Sequence, residues 1–160
     1  MESELLKSLR SIRIENLNED DKSELLRLFM ITKNAGIRNF IALTLSELGY
    51  NKAIPYIIKK INDKSISNYT GTLVYSLENL DSKRYFLSFI KVICENGYEA
   101  RLMAYEIIKK YVDTIPKGVK EKALKILNNF QTLERPLAND NYMNSRLHFI
   151  ESTIDLLNDR

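Results

Sequence analysis

Apolar residues recur along this chain three and four positions apart, the spacing of one helix face, and nowhere alternate as a half-buried strand requires. The pattern predicts a first helix over about residues 3–14, with Leu5, Leu6, Leu9 and Ile12 on one stripe. A second, over about 21–33, carries Leu25, Leu26, Leu28, Phe29, Met30 and Ile31 around most of its girth, which implies a place between neighbours. Asn18 with Glu19, Asp20 and Asp21 offers that helix an N-cap and carboxylates matched to its dipole. Gly36 punctuates, and Ile37, Phe40, Ile41, Leu45 and Leu48 line a third helix to about residue 48. Gly49 suits the left-handed position that ends it.

Asn51 is the candidate cap of the next helix, to about 62, with Pro55 in its first turn and Ile54, Ile57, Ile58 and Ile61 on its buried side. Residues 65–68 are polar and read as a turn. A helix over about 69–80 follows, with Leu73, Leu77 and Leu80, and Asp81-Ser82 stands ready to cap another over about 83–95. Gly97 breaks the pattern again before a helix at 98–112, and Asp113-Thr114-Ile115-Pro116 stops that one and starts another. Residues 132–141 are the longest polar stretch. The final helix, about 142–158, has Met143, Leu147, Ile150, Ile154 and Leu157 as a narrow stripe suited to one neighbour.

Sliding the chain by 32 residues superposes Leu45 on Leu77, Leu48 on Leu80, Ile57 on Phe89, Ile58 on Ile90 and Lys59 on Lys91. The same shift superposes Ile61 on Ile93 and Asp63 on Glu95, and a shift of 63 superposes Arg38 on Arg101. Two helices fit in each period, and one such pair cannot bury its apolar face alone, so neighbours must stack. The stretch from Ile37-Arg38 through Ala42, Leu45, Leu48-Gly49, Ala53-Ile54-Pro55, Ile58 and Ile61 to Asp63 resembles the HEAT-like repeat family, including its bilin-lyase-type form. The later copies depart from it: Leu87 replaces Pro55, Asp81 replaces Gly49 and Thr70 replaces Arg38. The run Gly71 to Glu78 is similar to one in small bacterial HEAT-repeat proteins that serve as immunity factors. The resemblance implies an all-α fold, a short right-handed α-solenoid of HEAT-like helical hairpins. Residues 1–35 would form an N-terminal helix pair, 36–131 three hairpins, and 132–160 a loop and a C-terminal capping helix, all in one domain.

Composition narrows the chemistry. In 160 residues there is one cysteine, Cys94, and one histidine, His148, so neither an intrachain disulfide nor a His or Cys cage for a metal is expected. There is no Gly-rich phosphate loop and no nucleophile–base motif, so no catalytic residue, no metal and no cofactor is assigned. The carboxylates at Glu19 to Asp21, and Glu95 with Glu99, read as helix caps and solvated faces. Cys94 reads as a thiol at a helix end, open to partial exposure. The charged opening MESELLKSLRS has no apolar run of signal-peptide length, and no run approaches a membrane span, so a cytoplasmic protein without membrane contact is expected.

Charge is uneven: residues 52–125 carry 14 basic and 8 acidic residues, while both flanks are mildly acidic. The family resemblance implies that the second helix of each hairpin lines the concave side. The residues off the apolar stripe there are Tyr56, Lys59, Lys60, Asp63, Arg84, Ser88, Lys91, Glu95 and Lys120, and these nine are the candidate partner-binding set. With Lys59 matching Lys91 and Asp63 matching Glu95, stacking would produce a ladder of mixed charge. Such a ladder suits a protein better than a polyphosphate, because acidic groups repel phosphate. The expected function is therefore a non-catalytic protein-binding module. Its best-fitting form is an immunity protein that neutralises a cognate toxin, such as a nuclease, by stoichiometric binding. The alternative is nucleic-acid binding or DNA repair on a basic concave face, as in HEAT-like DNA glycosylases, and a bilin-lyase-type accessory role is a third option.

Overall fold

A computed structural model describes residues 4–133 and 142–159. Every regular element among them is helical: α1 (Glu4–Arg10), α2 (Glu19–Ile31), α3 (Ala35–Glu47), α4 (Ile54–Ile61), α5 (Gly71–Ser76), α6 (Phe86–Glu95), α7 (Tyr98–Tyr111), α8 (Lys117–Leu133) and α9 (Arg146–Asn158). Short 3₁₀ turns precede several of these, at Asn51–Ala53 before α4, Lys64–Tyr69 before α5 and Lys83–Tyr85 before α6. Most of the polar stretch 132–141 lies outside the described residues.

Local chemistry sets most of the helix ends. Asn18 accepts the Asp21 amide at 2.9 Å while the Asp21 carboxylate accepts the Asn18 amide at 3.0 Å, a reciprocal capping box that opens α2. At the end of α3 the Tyr50 amide donates to the Leu45 carbonyl and the Gly49 amide to that of Ser46, with Gly49 at φ 61°. Any side chain at Gly49 would be strained in that left-handed conformation. Pro55 sits in the first turn of α4, where no amide is needed.

Other expected caps fall elsewhere. Asn51 makes no capping bond to α4; its side-chain oxygen accepts the Asp81 amide, 30 residues on, at 2.9 Å. Asp81 and Ser82 do not cap α6: the Ser82 hydroxyl, fully buried, donates back to the Leu77 carbonyl at 3.1 Å. The helix expected to run to residue 80 stops at Ser76, because Leu77, Glu78 and Leu80 turn to i→i+3 bonds with Val74, Tyr75 and Leu77. Leu77 and Leu80 are nonetheless buried. Residues 64–69 form 3₁₀ turns rather than a plain bend, and Gly36 lies inside the first turn of α3.

The helices pack in an alternating order. α3 lies against α5, α5 against α7 and α7 against α9; α6 lies against α8, and its C-terminal cap meets the C-terminal end of α4. Neighbouring pairs α2–α3, α4–α5, α6–α7 and α8–α9 join the two rows. Hydrogen bonds cross between repeats at close to the sequence period. The Tyr111 hydroxyl donates to the Leu80 carbonyl (31 apart, 3.2 Å) and the Lys110 ammonium to the Glu78 carbonyl (32 apart, 2.6 Å). Together with the Asn51–Asp81 bond they fasten the 77–82 turn from both sides.

The core is richest at α6, where Phe86, Phe89, Ile90, Val92, Ile93 and Cys94 are all buried. Gly71, at the start of α5, is set by close approach: a Cβ there would lie 2.8 Å from the Glu99 Cβ on α7. Gly71→Ala is expected to cost about 1–3 kcal/mol, because α5 and α7 must move apart, and thermal denaturation measures it.

The two ends differ from expectation. Only Leu25 and Phe29 of α2 are buried, and Ile31 is 59% exposed, so α2 has an open side instead of neighbours all around. α9 contacts α6, α7 and α8, not one neighbour. Its buried residues are Phe149, Ile150, Thr153 and Leu157, while Met143 is exposed. Phe149 anchors it edge-on to Tyr98 at 5.9 Å and Tyr105 at 6.3 Å, with the Arg101 guanidinium 5.7 Å from its ring.

Candidate functional site

The row formed by α4, α6 with its 3₁₀ lead-in, and α8 holds all nine candidate residues except Asp63, which follows α4 directly. Over residues 54–61, 83–95 and 117–133 the row carries nine basic and two acidic residues. α3, α5 and α7 carry four basic and three acidic. Of those four, Arg38 is buried, and Lys109 pairs with Glu106 at 2.7 Å. The excess of basic over acidic residues therefore falls on one row of helices.

The candidates divide into three groups along this row. Tyr56 and Lys59 are exposed on α4 and Lys60 is half-buried there. Arg84 and Ser88 border a groove of about 510 Å³ between the start of α6 and the start of α8. Its other walls include Tyr85, Leu87, Ile115, Pro116 and Val119. Lys120 is half-buried on the first turn of α8, just beyond Val119. Lys91 and Glu95 border a cleft of about 240 Å³ at the other end of α6, where Ile61, Asn62, Phe130 and Arg146 also meet. The C-terminal ends of α4, α6 and α8 thus converge on one cleft, and the starts of α6 and α8 on another.

Asp63 is engaged within the fold. Its carboxylate accepts the Ser65 hydroxyl at 2.7 Å and the Ser65 amide at 3.0 Å, capping the 64–69 turn. These bonds hold its carboxyl below the ordinary value of 3.8, and the positive charges of Lys60 and Arg38 act in the same direction. Arg38 is 5% exposed, and its Nε has no hydrogen-bond partner among the described residues. Burial lowers the pKa of Arg38, and the Asp63 carboxylate opposes that. The bonds come from neutral Ser65, so the exposed Asp63 carboxylate keeps its charge and a partner meets it together with Glu95 and Glu121.

The sign of the Asp63 shift predicts a pH effect. Its contribution to stability is present above the ordinary carboxyl value and is lost as pH falls through the lower folded value. Asp63→Asn is expected to flatten part of the acid limb of a Tm-against-pH curve and to leave the neutral limb parallel to that of the unaltered chain.

The other singled-out residues resolve as follows. Cys94 is fully buried, not partly exposed, so it presents no accessible thiol. His148 is half-buried, with its ring 5.9 Å from that of Phe149. Tyr50 is buried, whereas Tyr56, Tyr69, Tyr75 and Tyr98 are exposed. Among the described residues no group of three His, Cys, Asp or Glu side chains could hold a metal. No described helix is long and apolar enough to cross a membrane.

Asn96 escaped the sequence reading. It is the C-cap of α6, 6% exposed, and its side-chain amide donates to the Thr70 hydroxyl at 2.9 Å and the Ile61 carbonyl at 3.2 Å. It ties the end of α6 to the end of α4 beneath the Lys91–Glu95 cleft. The one available signal was an asparagine directly before Gly97 at a predicted helix end.

No protein-family model matches this chain, and neither a curated protein nor a solved structure does. Among the described residues the fold is all-helical, with one strongly basic row of helices.

Proposed function

We propose that this chain is a non-catalytic protein-binding module, a short right-handed α-solenoid of HEAT-like pairs with capping helices at both ends. In this reading it acts in the cytoplasm as an immunity protein that neutralises a cognate bacterial toxin, such as a nuclease, by stoichiometric occlusion. The alternating contacts of α3, α5, α7 and α9, and the cross-repeat hydrogen bonds near a 31-residue spacing, support the stacked-pair architecture. The observation that carries the functional reading is the α4–α6–α8 row: exposed positive charge in excess, beside an apolar groove. Charge of one sign steers encounter with an acidic surface, and apolar walls supply the contact that steering alone lacks.

The nine basic against two acidic residues of the row favour a second reading, nucleic-acid binding. Affinity capture from the native host, with the lysate split and one half treated with nuclease, separates the two. The first reading predicts one stoichiometric protein retained from both halves. Recovery of nucleic acid alone, lost after nuclease, would reject it in favour of the second. Binding to that nucleic acid would then weaken steeply with salt.

A further inference from the structure

We infer that the groove between the starts of α6 and α8 receives one aliphatic side chain from an acidic segment of the partner protein, with Arg84 holding a carboxylate beside it. The inference rests on the protein-binding reading and assigns that partner its chemistry. The groove floor and walls are apolar: Tyr85, Phe86, Leu87, Ile115, Pro116 and Val119 contribute. Lys83 and Arg84 stand on one rim, and Lys120 lies just beyond Val119. The single carboxylate among the lining residues is Asp81, against the two basic side chains Lys83 and Arg84, so the lining charge is net positive.

Arg84 is preorganised for this task. Its guanidinium lies 4.9 Å from the centre of the Tyr85 ring and donates one bond to the Tyr85 hydroxyl at 2.9 Å. A guanidinium has five N–H donors, so donors remain for a carboxylate after that bond is made. The same contact holds the guanidinium beside the Tyr85 ring. The result is a groove with apolar walls and net positive lining charge. An acidic peptide with one aliphatic anchor satisfies both.

The probes are short labelled peptides, Asp- and Glu-rich around one central leucine, and the same peptides with that leucine replaced by serine. Each is titrated into the full chain by fluorescence anisotropy and followed by amide chemical shifts. The leucine peptide is expected to bind about ten-fold tighter or better, with shifts at Leu87, Ser88 and Val119. Arg84→Gln should weaken it about five-fold. Ser88→Phe, which fills the groove, should erase the leucine preference while unaltered amide dispersion reports an intact fold. Equal binding of the two peptides, shifts confined to lysines away from the groove, or no binding of either would overturn the inference. If the natural partner is still captured by Ser88→Phe with unchanged affinity, the groove assignment fails while the protein-binding reading stands. Capture of nucleic acid alone would end both.

Discussion

Replacing Asn96 by leucine is expected to lower the unfolding free energy by about 2–4 kcal/mol, seen as a fall in Tm of about 5–10 °C. Leucine has the same branched skeleton but is the larger side chain, so the loss reports broken hydrogen bonds and some crowding, not a cavity. Without the amide, the Ile61 carbonyl at the end of α4 loses this donor, and the fully buried Thr70 hydroxyl keeps only its own bond to the Ser67 carbonyl at 3.3 Å. Buried polar groups left unpaired carry the full desolvation penalty, which is larger than the net value of the bond itself. The damage falls where α4, α6 and α8 converge, so the position of Lys91 and Glu95 should loosen as well. Urea denaturation with an unchanged m-value and a lower midpoint would match this account. A change below about 0.5 kcal/mol, the range of an ordinary surface substitution, would show that Asn96 does not fasten the row.

Reversing Lys59, Lys60 and Lys91 to glutamate together is expected to slow association with the captured partner by about 10–100-fold. Dissociation should change less. Lys59 and Lys91 are exposed and Lys60 half-buried on a face with few opposing charges, so the substitutions remove steering rather than a core contact. For the same reason the Tm should stay close to that of the unaltered chain. Raising the salt should bring the two association rates together, because exposed charges further apart than about 8–10 Å are screened near physiological ionic strength. Stopped-flow mixing at low and high salt measures this. An association rate unaffected by the reversal would move the binding surface away from this row.

Much of the fold was legible because its signals are local. The Asn18 box, the Gly49 stop, the Pro55 start and the Asp113–Pro116 junction each act within a few residues, and each stands where the sequence placed it. Asn51, Asp81 and Ser82 misled because short polar side chains serve a distant turn as readily as a nearby helix end. Helix α2 misled because apolar girth records what a surface would bury, not whether a neighbour is there. The candidate residues were legible as helix positions, and most are at least partly exposed. The placing of Arg84 and Ser88 at one cleft and of Lys91 and Glu95 at another was not legible, since it depends on which helix ends converge. Asp63 is exposed, as its place off the apolar stripe implied, but its bonds to Ser65, which cap the 64–69 turn, were not legible. Asn96 and Gly71 act through residues 26 or more positions away, beyond what periodicity can register.

The central claim is that the basic row of α4, α6 and α8 is the surface that meets a protein. Hydrogen exchange on the chain alone and in complex with its captured partner tests it most directly. The account predicts added protection in residues 54–61, 83–95 and 117–133, strongest around Arg84 to Ser88. Protection confined to α3, α5 and α7, with the basic row unchanged, would contradict it.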